Sequence, residues 1–171
     1  MTQQALAATW REAALQKRID PADLVSTCQK LRSAGKRIAT LNGSFDLLHA
    51  GHLEMIYAAS QAADILIVAC NTDASIQAYK SAERPIVPLE YRLSMLSALG
   101  FVDYVTWFDE TDPRELLSLI QPDVHVNGAE YGKQCIEAET VERYGGRVEI
   151  VELVPGLSTS ALITKIRGLC D

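Results

Sequence analysis

The chain has 171 residues, of which 48% are hydrophobic and 22% charged. That length suits one domain with its own core, and that balance excludes disorder, collagen and a coiled coil. The net charge of −6 excludes a broad basic surface for DNA or RNA, so phosphate has to be bound locally, by a few cations and backbone N–H groups.

Residues 1–18 read as a loosely specified helix. Asp20-Pro21 opens a firmer one. Asp20 suits the N-cap, Pro21 the first helical position, and Asp23 adds negative charge to the first turn. Leu24, Cys28 and Leu31 keep helical spacing, and Gly35 ends the segment. Residues 1–34 are thus expected as a helical segment packed on a main domain of residues 35–171. From there strands and helices alternate. Residues 37–41 (RIATL) read as strand, 50–62 as helix, and 65–70 (ILIVAC) as a strand buried on both faces. Residues 72–79 form a short helix, a loop carries Arg84, Pro85 and Pro88, and 89–99 is helical again. Strand 102–107 follows, then helix 112–120 with Pro113 near its start, then strand 123–127 (DVHVN). Helix 135–144 ends at Gly145-Gly146, and strand 147–153 (RVEIVEL) and helix 159–167 complete the run.

This alternation predicts an α/β fold, a Rossmann-like doubly wound parallel sheet in three α/β/α layers. In such folds ligands sit beyond the carboxyl ends of the strands, where the strand order reverses. Strand ends carry Asn42-Gly43-Ser44, Asn71-Thr72-Asp73, Asn127-Gly128 and the turn from Pro155 to Ser160, and the fold brings all four to one crevice. The cysteines, at 28, 70, 135 and 170, are far apart and form no C-x-x-C pair, which fits a reducing cytoplasm. No apolar run reaches ~18 residues and no signal-peptide core opens the chain, so no membrane partner is expected.

The most informative stretch is Asn42-Gly43-Ser44-Phe45-Asp46-Leu47-Leu48-His49-Ala50-Gly51-His52. A strand ends there and a helix begins near Ala50. His49 and His52 share one side of the first helical turn, and Gly51 between them leaves the backbone open to a ligand. Free N–H groups and partial positive charge at the helix start complete a compact phosphate receptor. A zinc pair is the alternative, but helical zinc histidines stand four apart with a third ligand elsewhere. The remaining histidine, His125, lies inside a strand and reads as a residue with a local partner.

Gly43 to His52 resembles the His-x-Gly-His signature of the nucleotidyltransferase superfamily, in its cytidylyltransferase-like branch. Leu157-Ser158-Thr159-Ser160-Ala161-Leu162-Ile163 resembles that superfamily's Ser/Thr-rich motif at the start of the last helix. Within the branch, the likeness is to the adenylyltransferases that make ADP-heptose from heptose 1-phosphate and ATP. It runs from about Leu24 to Arg167 and includes Gly35-Lys36-Arg37, Asn71 to Ser75, Arg84 to Pro88, Val102 to Val105, Gln121 to Val124 and Gly145 to Val148. That family commonly has Cys at the position of Ser44, and Lys-Gly-Gly-Asp-Tyr where this chain reads Asn127-Gly128-Ala129-Glu130-Tyr131. The substitution of Asn127 removes a positive charge from the crevice.

The resemblance implies ATP with Mg²⁺ carried by the nucleotide rather than by protein ligands, pyrophosphate release, and commonly a homodimer. It has no room for the fused kinase of some relatives, so the sugar phosphate is expected from a separate sugar kinase. His49 and His52 take the catalytic role, donating to the α/β-phosphates. Asn42, Gly43, Ser44, Phe45, Gly51 and Lys80, with Ser158, Thr159 and Ser160 at the last helix, take nucleotide phosphate. Asn127 and Gly128 approach the base or ribose. Asp46, Asn71, Asp73, Arg92 and Tyr131 are substrate-binding candidates, with a turn-stabilising or a Mg²⁺-bound role open for Asp46, a helix cap for Asp73 and a solvated side chain for Arg92. Glu137, Glu139 and Glu142 read as a solvated helix face, and Trp10 and Trp107 receive no role. Two other functions are carried forward: a CTP-dependent transferase acting on a small phosphoalcohol, and a non-catalytic nucleotide-binding regulatory module.

Overall fold

The computed structural model describes residues 9–129, 132, 135–152 and 155–169. Helix α1 (Trp10–Gln16) and a 3₁₀ turn (Pro21–Asp23) precede α2 (Leu24–Ser33). Then come β1 (Ile38–Gly43), α3 (Ala50–Ser60), β2 (Ile65–Asn71), α4 (Asp73–Tyr79), α5 (Leu89–Ser97) and β3 (Tyr104–Phe108). The chain continues through α6 (Arg114–Ile120), β4 (Val124–Gly128), α7 (Ala138–Arg143), β5 (Arg147–Val151) and α8 (Thr159–Arg167). The strands form one parallel sheet in the order β3-β2-β1-β4-β5. The order reverses between β1 and β4, so their carboxyl ends lie side by side at the switch point.

Period-two alternation in β2 explains the two cores. Leu66, Val68 and Cys70 join Ile56, Ala59, Leu93 and Leu96 on the face covered by α3 and α5. Ile67 and Ala69 join Leu24, Cys28, Leu116 and Ile120 on the face covered by α2 and α6. The predicted three layers follow. The aspartates that begin strands hold their edges: Asp64 accepts from Arg37 N, Asp123 from Ile38 N and Asp103 from Leu66 N.

Asp20 does cap the turn at Pro21, accepting from Ala22 N at 3.0 Å, and Gly35 ends α2 with φ +73°. The segment before β1 is laced onto the sheet. Lys17 Nζ donates to Leu99 O and Val102 O at 2.9 and 2.7 Å, Arg18 pairs with Glu90 at 2.7 Å, and Ile19 N bonds Val105 O. Strand β1 runs two residues past its predicted end, because Asn42 and Gly43 find partners opposite Ala69 and Cys70 of β2. Helix α7 starts later than predicted, leaving Cys135, Ile136 and Glu137 outside it. Gly146 is obligatory: a Cβ there meets Pro122 O at 2.1 Å. The expected strand end at Leu153 lies outside the described residues.

His125 sits in β4 with no exposed surface, its Nδ1 2.9 Å from Thr40 Oγ1, so the local partner exists. Burial pushes its pKa down to about 4, from an ordinary 6.5. Below pH 6.5 the unfolded chain therefore takes up a proton that the folded one refuses. This stability is fully present above pH 6.5 and drains away as pH falls toward 4, by up to about 1.4 kcal/mol per pH unit. Urea unfolding at pH 7.5 and pH 5 should show that loss in the wild type and a smaller one in His125→Gln. Equal losses in both proteins would remove His125 from the acid limb.

Candidate active site

A cleft of about 730 Å³ opens at the carboxyl ends of β1, β2 and β4. Its floor is Asn42 and Gly43 of β1, Asn71 of β2, and Asn127 and Gly128 of β4. Three of the four predicted strand ends meet there directly. The fourth, before α8, reaches it through Thr159, whose Oγ1 donates to Asp46 O at 2.8 Å.

The turn from β1 into α3 is strained and tightly held. Phe45 and Leu47 have φ of 47° and 51°, a left-handed backbone that costs bulky residues energy. Phe45 offsets this by burying its ring, 2% exposed, in the core. Asp46, 1% exposed, accepts from Arg84 Nε at 2.8 Å, Ile86 N at 2.9 Å and Val87 N at 2.9 Å. Burial opposes its charge, but the Ile86 and Val87 amides and Arg84 outweigh burial and hold its carboxyl below the usual range. Both oxygens are committed, which decides for the turn-stabilising role over a metal one. Among the described residues no group of three or more His, Cys, Asp and Glu stands ready to hold a metal ion.

Arg92 is also inside, with 0% exposure. Its Nη1 donates to Ser44 O at 2.6 Å and Asn71 O at 2.9 Å, its Nε to Val87 O at 2.9 Å, and its Nη2 to Asp73 Oδ1 at 2.7 Å. Both sequence expectations for Arg92 are corrected: it is neither solvated nor free for phosphate. Asp73 is corrected likewise. Thr72 caps α4, while Asp73 Oδ1 is taken by Arg92 and Leu89 N.

His49 is the N-cap residue of α3 and His52 lies in its first turn. The rings stack, with centroids 3.9 Å apart and planes at 31°. His49 N–H donates to His52 Nδ1 at 3.3 Å, so in the neutral ring the proton sits on Nε2 as a hydrogen-bond donor. Burial, then repulsion from His49 and Lys80, pushes the His52 pKa down to about 4. Burial lowers His49 too. Gly51 keeps this stack uncrowded, since a Cβ would land 3.1 Å from the His49 ring and 3.3 Å from Leu157 Cβ. His52 lines the cleft, and His49 buttresses it from behind.

Ser44 Oγ lies 2.8 Å from Tyr79 OH and accepts from Lys80 Nζ at 3.1 Å, which brings the lysine to the cleft as predicted. Burial, then Arg84, lowers the Lys80 pKa. Ser158 caps α8 by accepting from Ala161 N at 3.1 Å, and Ser160 is exposed; of the three hydroxyl residues only Thr159 lines the cleft. Asn71 donates to Ser75 Oγ at 3.0 Å and Glu110 O at 3.4 Å. Tyr131 lies outside the described residues.

Sequence reasoning missed one wall. Phe108 at the end of β3, with Thr111 and Pro113 beyond it, lines the cleft, as do Met55, Tyr79, Cys135, Ile136 and Glu137. The signal for the first group was a polar loop, Asp109 to Pro113, directly after a strand. Glu137 reverses its expected role: it is 5% exposed, with Oε2 3.5 Å from Asn127 Nδ2. Helical periodicity could not have found it, because it precedes α7.

A strained strand-to-helix turn, paired imidazoles at a helix start and Thr159 of the last helix meet at the switch point of a Rossmann-like sheet, a place suited to binding phosphate. The family model described as Cytidylyltransferase-like matches residues 40–167, and the chain belongs to that family. Among curated proteins it is similar to the Bifunctional protein HldE of Hahella chejuensis, 42% identical over 137 residues, covering 80% of this chain and 29% of the relative. The protein of the same name from Geotalea uraniireducens is 43% identical over 152 residues, covering 88% and 31%. The chain thus spans less than a third of the length of these relatives. Among solved structures it resembles the lipopolysaccharide core biosynthesis protein from Thermoplasma volcanium. That likeness has a TM-score of 0.56 and 28% identity, and covers 70% of this chain and 98% of the other.

Arg92→Met should remove one buried cation from its four acceptors and lower the unfolding free energy by about 3–5 kcal/mol. Denaturant unfolding measures it; a loss below about 1 kcal/mol would contradict the structural role given to this arginine.

Proposed function

We propose that the cleft transfers AMP from ATP to a sugar 1-phosphate, heptose 1-phosphate first among candidates, releasing pyrophosphate. The observation that carries this reading is the stacked His49–His52 pair at the start of α3, set on the strand-end floor beside Lys80 and Thr159. A phosphate oxygen of the acceptor attacks the α-phosphorus of ATP. The bond from that phosphorus to the α,β-bridging oxygen breaks, and the electron pair leaves with pyrophosphate. The nucleophile is already an anion, so no general base is needed. Catalysis reduces to alignment and to neutralising charge on the transferring group.

The chain's own groups serve that task. Neutral His52 donates from Nε2 as charge builds on the phosphates, and a triphosphate beside it raises its affinity for a second proton. Lys80 supplies a mobile positive charge, and the backbone of Gly43 and Ser44 approaches the phosphates closely. The start of α8, with Thr159, takes the distal phosphates. Mg²⁺ accompanies ATP and neutralises part of the triphosphate charge. The proposal further places the protein in the cytoplasm, downstream of a sugar kinase activity; no helix among the described residues is long and apolar enough to cross a membrane. A homodimer stands on the family resemblance alone.

Incubation with ATP, Mg²⁺ and heptose 1-phosphate should release pyrophosphate, and His52→Ala should cut kcat by about 10²–10³ with little change in KM. An NTP panel in the same assay separates ATP from CTP. ATP binding by calorimetry without turnover on any sugar phosphate or phosphoalcohol would overturn the enzyme reading in favour of a regulatory module.

A further inference from the structure

The cleft floor divides into two halves of opposite character. Around the end of β1 stand donors: His52 and Lys80. Around the end of β4 stand Asn127 and Glu137, 6% and 5% exposed, with Asn127 Nδ2 3.5 Å from Glu137 Oε2. Cys135 completes this corner; burial, then the neighbouring Glu137, raises its thiol pKa. A nearly buried carboxylate in a cleft built for anions repels phosphate. It is a favourable element only where a ligand brings hydrogen-bond donors to it.

Resting on the reading above, we propose that Glu137 and Asn127 form a subsite for adjacent hydroxyls of a sugar, and that Glu137 sets specificity for the sugar attached to a reacting phosphate. The pair offers the carboxylate as acceptor, the Asn127 amide oxygen as a second acceptor, and one remaining amide N–H as donor. One hydroxyl donates to Glu137 while its neighbour exchanges hydrogen bonds with the amide. Phosphate, with no donor of its own, gains nothing from Glu137.

Position selects a sugar over a base. Thr40 pairs with His125, so in that register Asn127 falls at the level of Asn42 of the phosphate half, and both line the one cleft. Sugar hydroxyls lie on carbons close to the phosphate-bearing one. The exocyclic amine of a purine lies across the whole nucleoside from the α-phosphate. The hydroxyls come from one of two sources, the ribose of ATP or the acceptor sugar, and the same pair fits either.

The test uses calorimetry, independent of turnover, on the intact wild-type chain and Glu137→Gln. The ligands are ATP, 2′-deoxy-ATP, 3′-deoxy-ATP, inosine triphosphate, inorganic tripolyphosphate, heptose 1-phosphate and its 2-deoxy analogue. Gln keeps the volume of Glu and removes the charge, and matching urea curves verify the fold. The expected result is a loss of about tenfold or more for ATP or for heptose 1-phosphate in E137Q. That loss vanishes for the matching deoxy ligand, and tripolyphosphate binds both proteins alike. A loss confined to ATP assigns the ribose, and one confined to heptose 1-phosphate assigns the acceptor. Three results overturn the proposal: tighter binding of every anion in E137Q, a loss removed by inosine instead of by a deoxy sugar, or no hydroxyl-dependent difference, failure to bind included. Failure of the transfer reaction itself is read separately, as absent pyrophosphate in the wild type.

Discussion

The guanidinium of Arg92 is the constraint on which the rest of the site depends. A cation with no exposed surface is tolerable only when its donors are matched, and here four are. Those bonds reach the ends of β1 and β2 and the loop before α5 at once. They fix where Ser44 ends the first strand, and so where the strained turn through Phe45 and Asp46 must run. Asp46 then ties that turn to the Ile86–Val87 backbone, and Thr159 ties it to α8. Two segments more than a hundred residues apart in sequence are thereby joined at one end of the cleft.

Electrostatics explains how a chain of net charge −6 holds anions. Exposed cations such as Arg37, Arg114, Arg143 and Arg147 pair with carboxylates. Arg92 and Arg84 bond internal carbonyl and carboxylate groups, and among the described residues Lys80 is the lysine that lines the cleft. His52 adds a donor without charge, because burial, then repulsion from His49 and Lys80, holds its pKa down at about 4. A free site of this kind avoids the cost of a desolvated positive cluster, and it becomes more basic only when phosphate arrives. The Asn127–Glu137 corner limits the anionic ligand to one side of the floor.

Much of the fold was legible in the sequence because its signals are local. Apolar runs such as Ile65 to Cys70, the Asp20-Pro21 start and the Gly145-Gly146 stop each act over a few residues. The His49–Gly51–His52 spacing was legible for the same reason. What escaped depends on distant partners. Arg92 looked like any helical arginine, because its acceptors come from three other segments. Glu137 looked solvated, because only the sheet brings β4 beneath it. The wall beyond β3 was missed because its polar loop carries no motif, though it follows a strand end like the others.

The central claim is that this cleft moves the α-phosphoryl group of ATP, with its nucleoside, to another phosphate. The most direct measurement follows a label on that phosphorus during reaction with heptose 1-phosphate and Mg²⁺. All transferred label should appear in a sugar nucleotide, with unlabelled pyrophosphate formed in equal amount. Label released as free AMP or ADP, or a sugar product labelled only from the γ-position, would contradict the account.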